Sequence, residues 1–164
     1  MTAAVAEQER TRHVLTEPGK GYRGPGGHIG FLLRQAQTAV RGAIERAIKP
    51  LGVTPAQLAL LSVLVHEGMV SSADLAKLAM MTAQSAGGVV QNMEKAGWVT
   101  REKARTHGRI LWLKLTPEGR RVAAQAQKRA GDIEREMLRG LDAATEATIR
   151  TWLVSCAMRF VPRK

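Results

Sequence analysis

Residues 71–116 read SSADLAKLAMMTAQSAGGVVQNMEKAGWVTREKARTHGRILWLKLT, and this stretch decides the fold. Ser71 has the chemistry of an N-cap, with Asp74 placed to return the hydrogen bond, and Leu75, Ala76 and Leu78 form the inner side of a short helix. Thr82 caps a second helix after a tight turn. Its apolar residues Ala86, Val89, Val90 and Met93 fall at i, i+3, i+4 and i+7, one stripe of an amphipathic helix. Gly97 supplies a left-handed stop. Trp98 to Arg101 and Ile110 to Leu115 have strand composition, and the segment between them carries Lys103, Arg105 and Arg109 against the single acid Glu102. Helix, turn, helix and a hairpin with a basic tip is the pattern of a winged helix-turn-helix. In that motif the second helix fits the DNA major groove and the hairpin reaches the backbone or minor groove beside it.

The residues that fall off the apolar stripe of the second helix point the same way. Thr82, Gln84, Ser85, Gly88, Gln91, Asn92 and Lys95 are short, hydrogen-bonding or glycine, and only Lys95 is charged. Amides pair with adenine edges and hydroxyls bond many acceptors, so this face suits base edges and phosphates. The alternative is an ordinary solvated helix. In the hairpin tip, Lys103, Arg105, His107 and Arg109 are candidate phosphate or minor-groove contacts, although a charge run by itself is usually a solvated loop.

Composition narrows the partners. The chain has 164 residues, 25 Lys and Arg against 14 Asp and Glu, and a net charge of +11. That length fits one domain, or a domain with arms. The charge favours polyanions, with nucleic acid ahead of an anionic membrane surface. No apolar run approaches the roughly 18 residues of a spanning helix, so no membrane partner is expected. The opening MTAAVAEQERTRH lacks the apolar core of a signal peptide. A single cysteine, Cys156, excludes an internal disulfide framework and agrees with a cytoplasmic location.

Outward from the central stretch, residues 1–27 end in EPGKGYRGPGGH, which is expected to be a flexible arm without regular structure. Residues 28–160 form the expected domain, and 161–164 a basic tail. A helix over about 29–49 carries Ile29, Leu33, Ala36, Val40, Ala43 and Ala47 on one stripe, widened by Leu32, Ile44 and Ile48. Thr54-Pro55-Ala56-Gln57 is a strong start signal for the next helix, and the winged helix-turn-helix spans about 54–116. Thr116-Pro117-Glu118 starts a long helix to about 139, poor in large apolar residues. Gly140 breaks it, and Asp142 caps a last helix over 143–160 with Ile149, Trp152, Leu153, Cys156, Ala157 and Phe160. The terminal helices hold apolar stripes with too little domain to cover them. A homodimer in which first and last helices interlock is the economical solution; a monomer folding them onto its own core is the alternative. The fold class expected is mainly α with a small β-hairpin wing, a winged helix-turn-helix joined to a helical dimerisation region.

The stretches LGVTPAQLALLSVL, SSADLAKLA, MEKAGWVTRE and HGRILWLKLTPEG resemble the multiple antibiotic resistance regulator (MarR) family, over about Ile29 to Phe160. The resemblance implies a helical homodimer that binds a pseudo-palindromic promoter site, a repressor released by a small-molecule effector in many members. It implies that Thr82 to Gln91 form the recognition helix and that Arg109 is the wing arginine. Two departures stand out. His107 occupies the place of the usual wing aspartate, and Gly87-Gly88 the place of a common Thr-Arg pair.

No catalytic constellation appears, so an enzyme is not expected. His13, His28, His66 and His107 are widely spaced, and no ligand pair suggests a metal site. The glycines at 24–27 lack the preceding strand of a nucleotide loop, and no cofactor is expected. Glu45, Glu67, Asp74 and Glu94 read as surface or capping carboxylates, Cys156 as inert packing, and Met69, Met80, Met81 and Met93 as adaptable core. The partners expected are double-stranded DNA, a second copy of the chain and a small-molecule effector of unidentified chemistry. The competing function is a low-specificity architectural or protein-interaction winged-helix protein, for which the bare Gly88 is the best support.

Overall fold

The computed structural model describes residues 16–103 and 111–160. Two compact units divide the chain between Ala39 and Val40. In the first, the segment from Pro18 to Gly27 folds as successive turns with a 3-10 helix at Gly21–Arg23. The Arg23 guanidinium donates to Gln35 Oε1 at 2.6 Å and to the Thr16 carbonyl at 2.7 Å. Residues 16–27 therefore carry more regular structure than a Gly/Pro-rich arm is expected to hold.

Helix α1 (Ile29–Ile48) follows. Its expected stripe is only partly enclosed. Ile29, Leu33 and Ala36 are exposed, Val40, Ala43 and Ile44 are half-buried, and Ile48 is fully buried. A 3-10 turn at Lys49–Leu51 contains Pro50, and Gly52 takes the left-handed conformation at φ 67°.

Helix α2 (Pro55–Glu67) opens on a complete capping box. The Gln57 N–H donates to Thr54 Oγ1 at 3.2 Å, and the Thr54 N–H donates to Gln57 Oε1 at 2.9 Å. Leu60, Leu61 and Leu64 on its inner side are the centre of the core. The chain then forms β1 (Met69–Ser71), α3 (Ser72–Leu78), α4 (Ala83–Lys95), β2 (Val99–Lys103) and β3 (Leu111–Leu115). The sheet is antiparallel in the order β1-β3-β2, with Val70 opposite Leu113 and Val99 opposite Leu115. The sequence pattern predicts the β2–β3 hairpin alone. The third strand is three residues long and is defined by its pairing with β3 rather than by a pattern of its own.

Helix α5 (Pro117–Met137) is fastened to the turn between α4 and β2. Thr116 Oγ1 donates to the Gly97 carbonyl at 2.7 Å and accepts from the Gly119 N–H at 2.9 Å. A Cβ on Gly119 would overlap the Trp98 carbonyl oxygen, so only glycine lets α5 start this close to the turn. Val122, Ala123 and Ala126 continue the buried side of α5. Helix α6 (Ala143–Phe160) is capped by Asp142, whose Oδ1 accepts from the Thr145 N–H at 2.7 Å. That hydrogen bond holds the Asp142 carboxyl below the usual carboxylate range.

The methionines divide sharply. Met93 is fully buried and Met81 is half-buried against the core, as expected of core residues. Met69 is exposed instead, and Met80 is 94% exposed. Met80 also has φ 54°, which makes it the only non-glycine residue with positive φ among the described residues. That conformation costs an L-residue with a side chain roughly 1–2 kcal/mol. The physical reason for the difference is chain direction. Met80 is the left-handed residue that ends α3, so Met81, not Met80, turns back onto the core.

Candidate nucleic-acid interface

The two helices of the helix-turn-helix are set by their caps. Ser71 Oγ accepts from the Asp74 N–H at 3.1 Å and donates to Asp74 Oδ2 at 2.7 Å. This hydroxyl and, next, Lys77 hold the Asp74 carboxyl below the usual range. The reciprocal bond therefore goes to the Ser71 side chain rather than to its backbone. After α3, the Met80 N–H donates to the Lys77 carbonyl and the Met81 N–H to the Ala76 carbonyl, at 3.0 and 2.9 Å. This left-handed turn delivers the chain to Thr82, the N-cap of α4.

Helix α4 has two distinct sides. Ala86, Val90 and Met93 are buried and Val89 is half-buried, which locks the rotation of the helix about its axis. That rotation places Thr82, Gln84, Ser85, Gly88, Gln91, Asn92 and Lys95 in solvent. The seven candidate residues of this helix are thus brought onto the uncovered side. Thr82 Oγ1 accepts from the Ser85 N–H at 3.1 Å and donates to Ser85 Oγ at 2.9 Å. The Ser85 hydroxyl proton stays available to an outside acceptor. Among the described residues, no side-chain hydrogen bond engages the amides of Gln84, Gln91 or Asn92. These groups can therefore meet a base edge without first breaking a bond within the protein.

Gly87 and Gly88 lie inside α4, and a Cβ on either would meet nothing within 4 Å. Neither has a positive φ. The fold does not need glycine at these positions, and their effect is to leave a bare strip of helix backbone, outermost at the exposed Gly88.

The base of the wing is tied to the end of α4. Arg101 on β2 grips Glu94 with two parallel hydrogen bonds, Nε to Oε1 at 2.6 Å and Nη2 to Oε2 at 3.0 Å. The Glu94 carboxylate stabilises the charged guanidinium and raises the Arg101 pKa. Glu94 is therefore a strut between α4 and the β2–β3 hairpin, beyond the surface or capping role that the sequence suggests. The signal is present in MEKAGWVTR, but only the Gly97 turn brings residues 94 and 101 face to face. Lys114 on β3 pairs with Glu102 on β2. Lys103 ends β2, and Arg105, His107 and Arg109 lie outside the described residues.

A cavity of about 350 Å³ opens between α2 and α5, with Val40 and Ile44 of α1 at its side. Leu58, Ser62, Gln127 and Glu134 also line it. Gln127 and Ser62 bridge it weakly at 3.5 Å, and Glu134 pairs with Arg150 at 3.3 Å. Its walls are mainly apolar with a few polar groups, as small-molecule sites commonly are. Among the described residues, no single helix is long and apolar enough to cross a membrane.

A capped helix α4 with an unpartnered polar side, braced against a β-hairpin, has the geometry of a winged helix-turn-helix, a motif that binds DNA. Comparison with known proteins agrees. The model of the MarR family matches residues 51–110. The HTH-type transcriptional repressor Rv2887 of Mycobacterium tuberculosis is 36% identical over 106 residues, covering 63% of this chain and 76% of that protein. A probable transcriptional regulator from Pseudomonas aeruginosa superposes with a TM-score of 0.69 at 32% identity, over 79% of this chain and 96% of that one. The transcriptional repressor CouR, solved on a 23-mer DNA duplex, shares the fold with a TM-score of 0.73 at 22% identity, over 79% and 92% of the two chains. The chain belongs to the MarR family and is a DNA-binding transcriptional regulator.

Proposed function

We propose that the chain works as a homodimeric repressor of a pseudo-palindromic promoter site in the cytoplasm, with one α4 in the major groove of each half-site. The observation that carries this reading is the exposed row Gln84, Ser85, Gln91 and Asn92 held on the buried Ala86, Val90 and Met93. Lys95, at the far end of the same side, suits a phosphate. Residues 54–116 form the reading head, and Lys103, Arg105, His107 and Arg109 of the wing reach the flanking backbone or minor groove. Dimerisation rests on the helices 29–49, 117–139 and 143–160. It is supported by α6, in which Ile149, Trp152, Leu153 and Phe160 are exposed and no residue is buried. The cavity between α2 and α5 is the seat proposed for a small-molecule effector that releases DNA. The protein performs no catalysis in this reading and requires no cofactor or metal.

Footprinting on the DNA flanking the gene tests it. Protection of two half-sites about one helical turn apart is expected. Gln84→Ala should cost on the order of 1–3 kcal/mol at one base position and relax the preference there. Lys95→Ala should weaken all duplexes alike and flatten the salt dependence by about one charge. Uniform, sequence-independent protection would favour an architectural protein instead.

A further inference from the structure

Met80 has no structural reason to be methionine. It occupies the left-handed position that ends α3, at φ 54°. The equivalent turn after α4 is built from the same pair of hydrogen bonds, Gly97 N–H to the Glu94 carbonyl and Trp98 N–H to the Met93 carbonyl, both at 2.9 Å, and there the residue is glycine at φ 73°. Glycine would serve the Met80 turn better. Packing gives no reason either. The side chain is 94% exposed, the most of any large apolar residue among those described, and its neighbour Met81 already makes the turn's contact with the core. A strained backbone position holding an unburied apolar side chain is a cost with no return among the described residues, and such outliers cluster where function requires them.

Its location supplies the function. Met80 stands two residues before Thr82, the N-cap of α4, and the N-terminal residues of a recognition helix are those that meet base edges. The outward residues of that first turn are polar, and beyond them come Gly87 and the exposed Gly88, neither with a side chain to offer. We propose that Met80 is a DNA-reading residue, its thioether arm packing on a thymine C5-methyl in the major groove. An apolar arm gains nothing against a charged phosphate, whereas the thymine methyl is the one apolar feature of the groove floor. Methionine is unbranched and polarizable, so it can follow the groove without a fixed rotamer. This inference rests on α4 being the recognition helix.

The test uses the intact chain and a duplex it selects from a random-sequence pool. Each thymidine is replaced in turn by deoxyuridine, which removes the methyl and keeps the base pair. The parent should lose about fivefold at one position per half-site, equivalent to about 1 kcal/mol. Met80→Gly should melt at a higher temperature than the parent yet bind the selected duplex about fivefold more weakly, with no further loss at that deoxyuridine. Met80→Leu, which keeps the apolar arm, should stay within about twofold of the parent. Parental affinity in Met80→Gly would overturn the inference. So would a Met80→Gly loss that is the same with thymidine and deoxyuridine at every position, because it would arise from the turn itself. A parent that selects no duplex at all would instead bring down the recognition-helix reading on which the inference stands.

Discussion

The winged-helix region encloses Leu60, Leu61, Leu64, Leu75, Met93 and Leu113, while α6 encloses no residue at all. Both are rich in large apolar side chains. In the first they come from α2, α3, α4 and β3, which converge so that each covers the others. In the second they lie along one helix, at Ile149, Trp152, Leu153 and Phe160, and the described part of the chain leaves each of them exposed, Phe160 most of all. The contrast separates a region that completes its own core from one that leaves its apolar side chains exposed. Exposed apolar surface of this kind marks association sites in soluble proteins.

Substitutions sharpen the contrast. The largest effect is expected at the centre of the core. Leu61→Ala should lower the unfolding free energy by about 2–5 kcal/mol in denaturant titration, because the surrounding elements can only partly close the cavity. A loss well under about 1 kcal/mol would mean the region is loosely packed and the contrast with α6 is false. Next comes Gly119→Ala, which drives a methyl into the Trp98 carbonyl and should cost roughly 1–3 kcal/mol or more as α5 is pushed off the α4–β2 turn. Unchanged melting would show that this junction yields freely.

A smaller effect of opposite sign is expected on the outer side of α4. Gly88→Ala should stabilise the free protein by about 0.5–1 kcal/mol, since the position is helical and open. If the bare backbone approaches DNA closely, the same variant should bind its selected duplex more weakly. Unchanged binding would mean that the space simply goes unused.

The smallest effect is acid loosening of the helix starts. Hydrogen bonds from Thr145 lower the Asp142 carboxyl, and Arg121 lowers Glu118. A carboxylate with a depressed folded-state pKa stabilises the fold above its ordinary pKa, and that stability is lost as pH falls below about 4. Circular dichroism between about pH 5 and pH 3 should therefore show a modest fall in melting temperature. The fall should be reduced in Asp142→Asn, which keeps a capping oxygen but no titratable group. An equal fall in both proteins would assign the acid sensitivity elsewhere.

Much of the winged-helix region is legible in the sequence. Thr54 with Gln57, Ser71 with Asp74 and Thr82 are caps whose chemistry is local, and the 3.6-residue spacing of Ala86, Val90 and Met93 sorts the outer side of α4 from the inner. What the sequence hides depends on geometry between distant residues. Strand β1 exists only through its pairing with β3. The Glu94–Arg101 strut exists only because the Gly97 turn folds β2 back on α4. The exposure of Met80 follows from its backbone angle, which the apolar character of the residue conceals.

Sedimentation equilibrium of the intact chain at micromolar concentration puts the contrast between the winged-helix region and α6 at greatest risk, with Trp152→Glu/Leu153→Glu run beside it. The parent should sediment as a dimer. The double variant should shift to monomer, or aggregate, while the winged-helix region keeps its helix content. A parent that sediments as a well-folded monomer would contradict this, because the apolar side of α6 would then have no second copy to cover it.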